Sequence, residues 1–84
     1  MVYKIILAPS EKKEFDKLRK EIQQKVFTVF EFLSIDPYSG KKLRGEYAGT
    51  WAVRAWPYRV MYQIFETKLV VYIVRIRHRK NVYR

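Results

Sequence analysis

Four arginines in the second half of the chain, Arg54, Arg59, Arg75 and Arg77, are of the type and spacing that phosphate chemistry uses. A guanidinium stays charged and forks onto two oxygens of one phosphate, so arginines gathered on one surface bind and stabilise phosphate charge. The one histidine, His78, follows the last of them directly. Histidine is the residue type that exchanges protons near neutrality, which makes it the natural general acid or base. Lys41, Lys42, Arg44, Arg79 and Lys80 supply further cations. They read as phosphate contacts that position a ligand without specifying it. Trp56, Tyr58 and Tyr47 lie among these cations, where aromatic rings stack on bases. The competing reading of each arginine is a solvated sheet face, and of His78 a packed strand end.

Charge distribution points the same way. The chain has 84 residues and a net charge of +10. Residues 1–36 carry seven Lys/Arg against six Asp/Glu, whereas residues 37–84 carry eleven against only Glu46 and Glu66. The first part is a balanced scaffold. The second is a cationic surface suited to a polyanion, with nucleic acid the leading candidate. With no cysteine there is neither a disulfide framework nor a thiolate nucleophile, which fits a reducing cytoplasm. One histidine and the distant Asp16 and Asp36 leave little from which to build a metal site, so no cofactor is expected. The apolar start VYKIILA is too short for a signal peptide, and no run approaches the ~20 apolar residues of a membrane span. The expectation is a single domain over residues 1–84 with one modest core, located in the cytoplasm.

The elements that must position these side chains follow from pattern. VYKIILA reads as a first strand ending at Pro9, with Ser10 as a helix N-cap. Phe15, Leu18, Ile22, Val26, Val29 and Leu33 then recur every three or four residues as one helical stripe. That stripe allows one helix of about six turns or two helices broken near Lys20 and Glu21. "SIDPYSGKKLRG" is turn chemistry. Three strand-like runs follow, at 50–56, 58–65 and 69–77, joined by short connections that imply an antiparallel meander. The fold class is α+β: a small single-layer antiparallel sheet with an N-terminal strand, helices on one face and a C-terminal three-stranded meander. Alternation along the strands assigns Trp51, Val53, Ala55, Val60, Tyr62, Ile64, Val70, Tyr72, Val74 and Ile76 to the helix side. Arg54, Arg59, Arg75 and Arg77 then converge on the opposite face.

"VRAWPYRVMYQI" (53–64) followed by "VYIVRIRHRKNVYR" (71–84) resembles the C-terminal half of the RelE/ParE toxin superfamily. There an arginine strand, a Tyr-Arg-x-x-Tyr strand and a closing His-Arg-x-x-Val-Tyr segment recur in this order. The upstream "KKLRG" (41–45) resembles the superfamily's Leu-x-Gly stretch. The resemblance implies a helical hairpin, hence β-α-α-β-β-β, and a toxin of a type II toxin–antitoxin pair. RelE-like members cleave mRNA in the ribosomal A site, and ParE-like members poison DNA gyrase.

By the same resemblance Arg59 matches a catalytic arginine, Arg77 a second, and Tyr83 the closing tyrosine that stacks on or protonates at the cleavage site. Packing near the C-terminus is the competing reading of Tyr83. Metal-free RNA cleavage requires a deprotonated 2′-hydroxyl, stabilisation of phosphorane charge and protonation of the leaving 5′-oxygen; arginines do the second. Several RelE-like members carry lysines two and four residues before the position of Arg54, where this chain has Ala52 and Thr50. The base is then unassigned: either His78 supplies it, as in the histidine-bearing branch, or the chain is a weaker or differently acting member. The implied partners are the ribosome with its mRNA, and an antitoxin whose acidic C-terminal segment wraps the domain in a hetero-oligomer.

Overall fold

The computed structural model describes residues 2–80. Strand β1 (Lys4–Leu7) leads into helices α1 (Pro9–Lys17) and α2 (Lys20–Ile35). A 3-10 turn at Pro37–Ser39, the two-residue strand β2 (Lys41–Lys42) and a second 3-10 turn at Gly45–Tyr47 follow. Strands β3 (Trp51–Ala55), β4 (Tyr58–Phe65) and β5 (Val70–His78) close the fold. The sheet order is β1-β5-β4-β3-β2. The meander is antiparallel as expected, but β1 adds at the edge parallel to β5, so the five-stranded sheet is mixed. β3, two antiparallel steps from β5, also runs parallel to β1, so the helices and the 36–50 segment together make the crossover between them.

The helical stretch is a hairpin. Leu18 and Arg19 are extended between the helices, and the Gln23 side-chain amide donates to the Phe15 carbonyl at 2.9 Å, covering the open end of α1. Ser10 is not the N-cap expected. Pro9 occupies the first helical turn, where its missing N–H costs nothing, and Ala8 precedes it as the cap residue. Asp36 ends α2, as the position before a proline disfavours helical backbone.

Val26, Phe30 and Leu33 of α2 pack on Tyr3, Val60, Tyr62, Val71, Ile73 and Ile76 to form the main core. Tyr62 is fully buried and its hydroxyl donates to the Pro37 carbonyl at 2.7 Å, tying the post-helix turn to the sheet. Gly40 passes so close that an added Cβ would collide with the Tyr62 hydroxyl and lie 2.8 Å from the Ala52 carbonyl.

The side assignment along β5 needs correction. Met61 opposes Arg75 while Tyr62 opposes Ile73, so Val74 is an extra residue and the strand carries a bulge there. Val71 and Ile73 face the helices with no exposure, whereas Val70, Tyr72 and Val74 do not. Past the bulge the alternation resets: Ile76 is core, and Arg75 and Arg77 face away. On the far face Ala52 and Met61 are covered by Leu43, Tyr47 and Val74, which seats the 41–50 loop as one wall of that surface.

Candidate phosphate-binding face

Strand register sets the site. Arg54 pairs with Arg59 and Arg59 with Arg77, so three arginines lie side by side across β3, β4 and β5 on the face away from the helices. Directly opposed residues have Cβ atoms ~4.5–5.5 Å apart, close enough for all three to address one phosphodiester unit. The adjacent row on this face runs Lys41, Ala52, Met61, Arg75. It continues the positive charge beside the apolar patch. Lys42 opposes Trp51 and so lies on the other side, while Lys41, Lys42, Leu43 and Arg44 together line an open cleft of about 600 Å³.

Arg54 is exposed, Arg59 and Arg75 half-buried. Arg77 is tied down. Its Nη1 donates to Glu11 Oε1 at 2.6 Å and to the Ile76 carbonyl at 2.8 Å, while Nη2 stays 3.5 Å from Glu11 Oε2. Glu11, on the first turn of α1, is 2% exposed and also accepts the Ile76 N–H at 2.7 Å and the Ser10 hydroxyl at 2.9 Å. Burial alone would raise its carboxyl. The hydrogen bonds from Ile76, Arg77 and Ser10, with the Arg77 charge, outweigh that and hold it below its ordinary value. Sequence reading missed Glu11. Among Lys12, Lys13 and Glu14 it looks like part of a solvated helix face.

His78 is placed elsewhere. It opposes Tyr58 in the row with Ala55, whose side chain is in the helix-side core, and its ring meets Tyr58 edge-on at 5.5 Å. Its Nδ1 accepts the Lys80 N–H at 3.3 Å. The structure therefore does not bring His78 or Tyr58 to the arginine row; both are packed at the strand end, on the opposite side of the sheet. Trp56 is 52% exposed in the β3–β4 turn, with the Arg79 guanidinium 5.2 Å from its ring centre. Arg79 and Lys80 are exposed beyond β5. Tyr83 lies outside the described residues.

Residues 5–83 match the family model described as the ParE toxin of the type II toxin–antitoxin system, parDE. The chain is similar to toxin RelG of Mycobacterium tuberculosis, at 35% identity over 86 residues spanning 100% of this chain and 99% of that protein. It is also similar in structure to a chain of the RelBE2 toxin–antitoxin complex of Mycobacterium tuberculosis, with a TM-score of 0.85, 32% identity and coverage of 96% and 95% of the two chains. A chain of the archaeal RelE–RelB complex from Pyrococcus horikoshii shares the fold at a TM-score of 0.82 and 21% identity, covering 96% and 99%.

Proposed function

The chain belongs to the ParE toxin family of type II toxin–antitoxin systems, within the RelE/ParE superfamily, and from that premise we propose that it is a ribosome-dependent mRNA endoribonuclease. One observation carries the reading: the Arg54–Arg59–Arg77 row. Like charges directly opposed across strands are destabilising, so such a row is favoured where an anion is to be met. In the proposed reaction a nucleotide's 2′-hydroxyl gives up its proton to solvent, its oxygen attacks the adjacent phosphorus, the P–O5′ bond breaks, and a 2′,3′-cyclic phosphate and a 5′-hydroxyl result. Charge on the non-bridging oxygens peaks midway. Arg59, central in the row, stabilises it, with Arg54 and Arg77 on either side. Lys41 and Arg75 hold the flanking backbone on the same face, and Lys42, Arg44, Arg79 and Lys80 extend the contact to ribosomal RNA. With His78 packed on the other side of the sheet, proton delivery to the 5′-oxygen falls to Tyr83.

A second reading, inhibition of DNA gyrase, is favoured by the ParE identity of the matching family model and by Ala52 and Thr50 at the family's lysine positions. Primer extension on mRNA in a translation extract, run beside a gyrase supercoiling assay, separates the two. Ribosome-dependent cuts support the nuclease; inhibited supercoiling without cuts supports the alternative.

The proposed partner is an antitoxin, as in the RelBE2 and RelE–RelB complexes of the similar chains. Its acidic segment would offset the cationic half. Ile5, Leu7, Phe15, Phe27 and Phe30 line a groove of about 330 Å³ between the helices and β1, with Phe27 51% exposed, where apolar residues of that segment can seat.

A further inference from the structure

We propose that Glu11 is a positioning residue for Arg77, holding its guanidinium at the end of the arginine row in the orientation that meets the substrate phosphate. The inference rests on the nuclease reading, and it concerns a residue that no sequence pattern assigns to the site.

The geometry begins with an interrupted sheet edge. The backbone rung from the Ala8 N–H to the Ile73 carbonyl, at 3.0 Å, is the last that β1 contributes, because Pro9 turns the chain into α1. Beyond it β5 continues past the bulge to His78. Glu11 Oε1 takes the place of a strand carbonyl there, receiving the Ile76 N–H. A neutral acceptor would satisfy that N–H equally well. A buried carboxylate costs far more, and is retained only where a cation compensates it. Arg77, next along β5, is that cation.

The consequence for Arg77 is orientation. Nη1 is committed to Glu11 and to the Ile76 carbonyl, so the guanidinium cannot swing freely through solvent, and its side chain is 31% exposed. Nη2 gives Glu11 Oε2 only a long hydrogen bond of 3.5 Å, so Nε and the second N–H of Nη2 are left as an edge to fork onto a phosphate. A long flexible side chain is thus ordered before substrate arrives, which is how positioning contributes to rate. Glu11 also places one negative charge at the end of a row in which Arg77 directly opposes Arg59, easing a repulsion that would otherwise push Arg77 out of register.

The test is steady-state cleavage of ribosome-bound mRNA by the full chain. E11Q keeps shape and an acceptor for Ile76 but loses the charge. It should lower kcat by on the order of tenfold with KM little changed, as a small misplacement of a catalytic group does. In an Arg77→Ala background E11Q should then have no further effect. Arg77→Lys supplies the second arm: a lysine retains a buried ion pair with Glu11 but has no second edge to offer, so the melting temperature should hold while cleavage falls. Wild-type kcat in E11Q, equal loss with and without Arg77, or full activity in Arg77→Lys would each overturn the positioning role. Failure of the nuclease reading is read separately, as absence of cuts by the wild type, and removes the catalytic role of the pair with it.

Discussion

Arg59 and Glu11 show how unevenly single residues are legible. The convergence of Arg54 and Arg59 follows from strict alternation along β3 and β4, which sequence supplies directly. Alternation also separates His78 from Arg77, since neighbours on a strand point to opposite faces; the expectation of a shared site set that rule aside. Glu11 was not legible, because its partner is 66 positions away and its own surroundings are polar. Two predictions belong to this scale. The Glu11 carboxyl is held below its ordinary 4.5, so its contribution to stability is present above that value and disappears as pH falls through the lower, folded one. E11Q should therefore show a flatter loss of melting temperature than wild type on acidification from about pH 6 to about pH 3. Burial pushes the Tyr62 phenol from 10.0 up to about 12, outweighing a hydrogen bond from the Gly40 backbone that lowers it, while Asp36 adds to the rise. The folded chain then favours the neutral phenol: that stability is complete below 10 and is lost as pH rises through the folded value. Tyr62→Phe should abolish this alkaline limb and cost about 1–3 kcal/mol at neutral pH, because the buried Pro37 carbonyl loses its donor.

Elements were legible where their signals are local. Pro9, Asp36-Pro37 and Gly40 punctuate the chain where the elements change, and the stripe from Phe15 to Leu33 marks the helices. The break between α1 and α2 carries no glycine or proline. Gln23 reaches back across it to Phe15, a contact between helices rather than a pattern within one. Gln23→Ala should lower the unfolding free energy by about 1 kcal/mol in urea titrations, the usual worth of one such bond. An unchanged midpoint would show that the break is held by packing. The bulge at Val74 was equally hidden, since VVYIV is apolar in either parity and contains no glycine. It matters for function because it carries β5 from one alternation to the other and so delivers Arg75 and Arg77 to the face of Arg59.

At the scale of the molecule, charge and shape divide the labour. The helical half covers one side of the sheet and is near neutral, while residues 37–84 carry most of the +10, with Lys41, Arg54, Arg59, Arg75 and Arg77 on the other side of the sheet. That division was visible in composition; what composition could not supply is the register that turns scattered arginines into a row. Binding of single-stranded RNA should weaken steeply with salt, and Arg54→Ala should reduce the log–log slope by about 0.7, the share of one phosphate contact. Lys12→Ala, on the exposed face of α1 and paired with Asp16 at 2.8 Å, should leave that slope unchanged. An equal change in both variants would mean that net charge, not the row, governs binding. The central claim, that Arg59 in this row stabilises a cleaving phosphodiester, is tested most directly by mapping mRNA ends in a translation extract with wild type and Arg59→Ala. Ribosome-dependent cuts by the wild type that fall at least about a hundredfold in Arg59→Ala are predicted, the scale of losing one preorganised transition-state donor. Undiminished cutting by Arg59→Ala would contradict the account.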